Sequence, residues 1–286
     1  MNVLVTGGCG FVGTNLVQRL LLDGHRVHVI DNYLSGSPLN KIEGAQYYEY
    51  HTKYINDKSL IDVKDIHVVF HLGEYSRIHP SFEDYSRVFD HNVTGTFEVI
   101  KYCKENSIKI VYAASSTKFA AEGVSHSPYS FTKNMSVELI KSFNKWYGLE
   151  YSICYFYNVF GKGYNSSPVP GYESVISVFE KQYKEGKPLT VTGDGLQKRQ
   201  FTYVGDIVDG LIKAWKYDKS EEFEFGNLKK NTILEIAKMI SDNIVHIENR
   251  KGDRSDSDIR NDNARKILNW NTTIDIDEWI RVNIKK

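Results

Sequence analysis

Tyr129 and Lys133, within Ser127-Pro-Tyr-Ser-Phe-Thr-Lys133, lie four residues apart, a spacing that puts both side chains on one face of a helix. There an ammonium favours the phenolate form of its neighbour, and a phenolate can take a proton from a hydroxyl. Pro128 suits the first helical position and Ser127 can cap it, so Tyr129 falls in the first turn, where the positive end of the helix dipole also favours an anion. Alone, the pair equally fits a tyrosine and a lysine on a surface. The second group of interest is Thr6-Gly-Gly-Cys-Gly-Phe-Val-Gly13, in which Gly8, Gly10 and Gly13 satisfy the GxGxxG spacing and Gly7, Gly10 and Gly13 the GxxGxxG spacing. Such glycines permit a tight turn and let backbone amides, including those of Phe11 and Val12, approach a pyrophosphate.

The elements around these residues have the right order. Asn2 to Thr6 and Arg26 to Ile30 read as strands around an amphipathic helix from Phe11 to Leu22, so the glycines connect a strand to a helix. Asp31 ends the second strand, where a carboxylate would take ribose hydroxyls; no Arg or Lys follows in Asn32, Tyr33, Leu34 and Ser35, which predicts NAD rather than NADP. Val68 to Leu72, Ile108 to Ala113 and Tyr151 to Tyr157 read as further strands, with a long helix near Tyr85 to Glu105 and another from Pro128 to Trp146. This alternation predicts a parallel α/β sheet. The Pro128 helix carries apolar residues on two sides, Met135, Leu139 and Trp146 on one and Val137, Ile140 and Phe143 on the other, which suits a subunit contact or burial within one chain. Beyond Gly161 come a loop-rich stretch from Lys162 to Gly171, a helix, a short strand Leu189 to Thr192 and a turn at Gly193 to Gly195, expected as a smaller added segment. The charged stretch Glu248 to Asp262 reads as a solvated loop.

Composition narrows the function classes. The 286 residues hold 36 basic and 36 acidic side chains, so no net field attracts nucleic acid or anionic lipid. The start lacks a signal-peptide pattern and no stretch approaches a membrane span, so a cytoplasmic protein is expected. Cys9, Cys103 and Cys154 have neither disulfide-framework nor zinc-site spacing, and no metal is expected.

Taken together the residues resemble the extended short-chain dehydrogenase/reductase family, in its NAD-dependent nucleotide-sugar epimerase/dehydratase branch. The resemblance spans nearly the whole chain. It rests on Thr6 to Gly13, Asp31-Asn32, Val69 to Leu72, Asn92 to Thr96, Ser115-Ser116, Tyr129 with Lys133, Tyr157 to Gly161, Arg199 to Asp206 and the pattern from Asp262 to Trp270. It implies a Rossmann-type doubly wound sheet over residues 1–160, completed by about 200–227, with a nucleotide-sugar lobe from 161–199 and 228–286. It also implies Tyr129, Lys133 and Ser115 as the catalytic trio, with Ser116 as the alternative hydroxyl. Gly7, Gly10, Phe11, Val12, Gly13, Asp31, Asn32, Ile55, Leu72 and Asn92 would join Tyr129 and Lys133 at NAD. Ser115, Asn158, Arg199 and Arg260 would hold a UDP- or GDP-sugar, and a homodimer is implied.

In this branch Tyr129 would begin oxidation of a sugar hydroxyl. Similar 4,6-dehydratases carry carboxylates where this chain has Ser116 and Thr117, so a 4-epimerase is favoured, with a 4,6-dehydratase or 4-dehydrogenase as the alternative and a non-catalytic NAD sensor as a third reading. Departures from the family pattern are concentrated at three places. Tyr54-Ile55 replaces an Asp-Ile pair near the adenine, the interval from Ser115 to Tyr129 is short, and Glu74 stands where the commoner sequence is HLAA. Glu74 is either an additional acid or base, or the partner of Arg77.

Overall fold

The computed structural model describes residues 1–162, 173–254, 256 and 258–285; apart from Lys162, the stretch Lys162 to Gly171 lies outside them. Seven parallel strands form the main sheet: β1 (Asn2–Thr6), β2 (Arg26–Ile30), β3 (Gln46–Tyr48), β4 (Ile66–His71), β5 (Lys109–Ser115), β6 (Tyr151–Phe156) and, after three strands elsewhere, β10 (Glu221–Phe225). Their order is β3-β2-β1-β4-β5-β6-β10. The order reverses between β1 and β4, and at such a point the loops leaving the carboxyl ends of the strands part to form a crevice.

Alternate residues of β1 face opposite layers. Val3 and Val5 pack with Leu16, Leu20, Ile207, Leu211 and Trp270, against α1 (Phe11–Leu22) and, later in the chain, α6 (Val204–Lys216). Leu4 faces the other way, in a core with Val69, Ile100, Tyr112, Val137 and Ile140. That second layer is built from α2 (Tyr85–Phe89), α3 (Thr96–Glu105) and α4 (Pro128–Tyr147). The long helix expected from Tyr85 to Glu105 is interrupted by a π-helical turn, Asp90–Gly95. Within it Asn92 turns inward, accepting the Tyr75 backbone N–H at 2.7 Å and donating to the Tyr75 carbonyl at 3.2 Å. A π turn seats an extra residue in the helix, here one whose amide clamps the loop after β4.

In α4, Val137 and Ile140 are buried, whereas Met135 and Trp146 are exposed. Gly148 ends the helix at φ 73°, a left-handed cap that glycine adopts without a Cβ penalty.

A separate core gathers Phe160, Phe179, Leu189, Ile236 and Trp279. It is made by β7 (Asn158–Phe160), α5 (Val175–Lys184), β8 (Leu189–Thr192), β9 (Lys198–Tyr203), β11 (Lys230–Thr232), α7 (Ile233–Ile240), β12 (Ile244–Ile247) and α9 (Ile276–Asn283). Its strands form a three-stranded sheet, β11-β9-β7, and a parallel pair, β12-β8. Within the C-terminal stretch, α8 (Asn263–Leu268) departs from this arrangement, because Ala264 and Trp270 are buried in the main core. Trp270 Nε1 donates to the Asp206 carbonyl at 2.7 Å, fastening the tail to α6.

Candidate active site

One cleft of about 510 Å³ runs from the glycine turn to the second core. At its first end the Gly7 backbone has φ +71°, and a Cβ on Gly13 would lie 2.0 Å from the Gly7 carbonyl oxygen, so the turn and the first helical residues close only without side chains. Gly10 caps α1 without a side-chain bond, leaving the helix N-terminus open towards the cleft. Asp31, at the end of β2, accepts the Cys9 N–H at 2.8 Å on one oxygen and the Tyr33 N–H at 2.7 Å on the other. Burial raises its pKa while those two amides pull it back, and each oxygen retains acceptor capacity for a hydroxyl. This donor and acceptor set fits a dinucleotide: an open helix end for phosphates and a carboxylate for a ribose.

Gly7, Gly10, Phe11, Val12, Gly13, Asp31, Asn32 and Leu72 all line the cleft. Ile55 and Asn92 are buried and stand outside its wall. Asn92 is engaged with Tyr75 and, at 3.1 Å, with Thr132, so its amide braces the site rather than facing it. Tyr54 is half-exposed and also outside the wall.

Midway, β5 and α4 bring Ser115, Ser116, Thr117, Tyr129 and Lys133 to the cleft. Ser127 caps α4 by accepting the Ser130 N–H at 3.1 Å, which sets Tyr129 in the first turn. Ser115 Oγ accepts from Thr117 Oγ1 at 3.1 Å. Lys133 is buried, with its ammonium donating to the Ala113 carbonyl and to Glu74. The expected partner Arg77 is thus replaced by Lys133, because the loop after β4 turns Glu74 inward beneath α4.

Glu74 ends a buried hydrogen-bond chain. Thr6 Oγ1 accepts the Leu72 and Gly73 N–H groups, so its own proton goes to His71 Nδ1 at 2.7 Å. His71 Nε2 then donates to Thr96 Oγ1 at 2.9 Å, and Thr96 donates to Glu74 at 2.9 Å. Tyr112 supplies another donor at 3.0 Å. Burial, with help from the Lys133 charge, lowers His71 to about 3, so the imidazole is neutral and this one direction of donation is satisfied throughout. Burial pushes Glu74 upward, and Lys133, Thr96 and Tyr112 oppose that shift.

At the far end Asn158, Arg199, Arg250 and Arg254 line the cleft. Arg260 does not: its backbone N–H donates to both oxygens of buried Glu224, at 3.1 and 2.9 Å, and Arg254 occupies the cleft instead. Arg254 Nη2 donates to Ser116 Oγ at 3.1 Å, and Arg199 Nη2 donates to the Arg254 carbonyl at 2.6 Å. The stretch read as a solvated loop therefore delivers a buried guanidinium to the middle of the site. Its sequence held one usable signal, a glycine at 252 with φ +84° packed against Ile78 and Phe82, which draws the loop over the cleft.

His51, Asp90 and His91 also cluster beside this cleft. Lys53 donates its N–H to His51 Nδ1 at 3.0 Å, so the His51 proton is on Nε2, 3.3 Å from Asp90. The Lys53 ammonium holds both Asp90 oxygens, at 3.1 and 2.9 Å. Lys53 thus pairs with Asp90 and the His51 lone pair is already engaged, while the His51 Nε2 contact with Asp90 is a charge-pair distance without a hydrogen bond.

The family model of the NAD dependent epimerase/dehydratase family matches residues 3–252, and the chain belongs to that family. A Methanocaldococcus jannaschii protein, provisionally named a UDP-glucose 4-epimerase, is 31% identical over 98% of this chain and 96% of its own length. The UDP-glucuronate 4-epimerase of Thermodesulfobacterium geofontis is 28% identical, covering 97% of this chain and 93% of its own. Among solved structures, the UDP-glucose 4-epimerase of Thermotoga maritima with UDP-glucose superposes with a TM-score of 0.89 at 25% identity, over 100% of this chain and 98% of that one.

Proposed function

We propose that this chain is a nucleotide-sugar 4-epimerase in which Tyr129, Lys133 and Ser115 act on the sugar. NAD, when bound, supplies a hydride acceptor that later returns the hydride. Tyr129 takes the proton of the C4 hydroxyl and gives one back after the resulting 4-keto sugar has turned its other face. Ser115 Oγ hydrogen-bonds the reacting oxygen. Lys133 holds the nicotinamide ribose and favours phenolate at Tyr129, while Asp31 takes the adenosine ribose hydroxyls. Arg199 and Asn158 hold the diphosphate, a task for which a guanidinium fork is suited.

The observation that carries epimerisation over dehydration is the chemistry of the β5 turn. Its cleft-lining side chains are the hydroxyls of Ser115, Ser116 and Thr117. Glu74, a buried carboxylate that also lines the cleft, is engaged by Lys133, Thr96 and Tyr112. Epimerisation needs no extra acid; expulsion of the C6 oxygen does.

Incubation of NAD-loaded protein with UDP-glucose and UDP-glucuronate, followed by NMR and mass analysis, tests this reading. Inverted C4 with unchanged mass is expected. Loss of water instead makes the enzyme a 4,6-dehydratase, and a released ketone with accumulating NADH makes it a dehydrogenase. Tyr129→Phe is expected to lower kcat by about 10²- to 10⁴-fold, the usual worth of a positioned acid or base; unchanged turnover would remove Tyr129 from the mechanism.

A second copy of this chain is the proposed macromolecular partner. The support is the exposed apolar set Phe97 on α3 and Phe131, Met135 and Trp146 on α4.

A further inference from the structure

The three arginines at the far end of the cleft are not equivalent. Arg254 is only 7% exposed. Its Nη2 is spent on Ser116, yet its Nη1 is buried with no hydrogen-bond partner among the described residues. No carboxylate forms an ion pair with it among the described residues; Glu122 and Asp256 act on it only at longer range, as do the Tyr129 and Tyr157 hydroxyls. A buried guanidinium stays protonated and is costly without an anion, so the site is incomplete as the chain stands.

Its position says which anion is missing. Arg254 bonds to the residue next to Ser115 and lies within electrostatic range of Tyr129, so from the far end its guanidinium reaches the reacting groups midway along the cleft. In a hexopyranose C4 lies between C3, which bears a hydroxyl, and C5, which carries C6, and of these neighbouring substituents only C6 can be an anion, as a carboxylate. A group that reaches C4 through Tyr129 and Ser115 therefore has C6 as its neighbour, whereas the diphosphate leaves from C1 on the opposite side of the ring. We propose that Arg254 and Ser116 form a carboxylate site that selects a nucleotide-linked uronic acid, the C6 carboxylate taking the bond that Nη1 lacks and a second from Ser116. The site deepens the 4-epimerase reading and rests on it for the placement of C4. A neutral hydroxymethyl group at C6 would leave the guanidinium desolvated and without a counter-ion.

Binding separates this proposal from the reaction it serves. In NAD-loaded Tyr129→Phe protein, calorimetry should show UDP-glucuronate binding about 10- to 100-fold more tightly than UDP-glucose, the range expected for hydrogen bonds between charged groups. Arg254→Leu should collapse that ratio towards one. Arg254→Lys, which keeps the charge and loses the fork, should reduce it severalfold, and it reads the same site if the Leu protein fails to fold. Equal affinities for the two sugars in the starting protein overturn the proposal. So does an equal loss for both sugars on substitution, which would assign Arg254 to the diphosphate. If UDP-glucuronate binds through Arg254 but the Tyr129 enzyme inverts no sugar, the carboxylate site stands and the epimerase reading falls. Inversion of UDP-glucose without a uronate preference does the reverse: the epimerase reading stands and the carboxylate site falls.

Discussion

At the scale of single residues, the two ends of the Tyr129–Lys133 pair have different histories. The place of Tyr129 in the first turn follows from its spacing and a cap, and the cap at Ser127 is the bond that the sequence predicts. Lys133 has a partner 59 positions away in the chain, and no local pattern carries that information. Glu74 and Lys133 are almost wholly removed from water, so removing one charge leaves the other uncompensated. Glu74→Gln is expected to cost about 3 kcal/mol of stability by urea unfolding. The double variant Glu74→Gln with Lys133→Met is expected to be less destabilised than Glu74→Gln alone, because it removes the stranded ammonium. Additive losses would mean that the pair contributes no coupling. Arg254 illustrates the same limit: its bond to Ser116 spans 138 positions, and a lone arginine in a charged stretch looks like a solvated one.

Among the elements, the opening β1-α1-β2 unit was legible to the residue. Strand alternation, the glycine turn and the apolar stripe of α1 all give the same boundaries, and they act over short sequence distances. The interval from Tyr85 to Glu105 was read as one helix because its apolar spacing is nearly continuous. The π turn inside it arises from contacts of Asn92 and His91 with other segments. It also places His91 against His51, with ring centroids 4.0 Å apart. Burial, followed by the neighbouring His91 charge, holds His51 down to about 4 against an ordinary 6.5. The folded state thus favours neutral His51. Its contribution is full above pH 6.5 and is lost as pH falls through the window to about 4, where the unfolded chain binds the proton more readily. His51→Asn retains a capping acceptor and removes the titration. The stability lost between pH 7 and 4, read from urea melts, should shrink by about 1–3 kcal/mol in this variant; an unchanged loss would take His51 out of the acid response.

For the whole molecule, the outer face of α3 and α4 carries the exposed aromatic residues on which the proposed dimer rests. Phe97, Phe143, Trp146 and Tyr147 touch one another in a continuous aromatic patch. Trp146 is 60% exposed and Phe97 41%, a concentration that a second copy would cover. Sedimentation velocity should show a dimer for the native chain and a monomer for Phe97→Glu combined with Trp146→Glu; a monomeric native protein would end that reading. No helix among the described residues is long and apolar enough to cross a membrane. The sequence by itself determined the parallel α/β class, the glycine turn, Asp31 as the carboxylate ending β2 at the cleft and Tyr129 with Lys133 on one helical face, because each depends on interactions within a strand or a turn of helix. Only the tertiary structure decided that Glu74 belongs to Lys133, that Asn92 braces the site from outside it, and that Arg254 rather than Arg260 enters the cleft. Those outcomes depend on desolvation and on which distant segments meet, and a buried charge takes whatever partner the packed chain brings within reach.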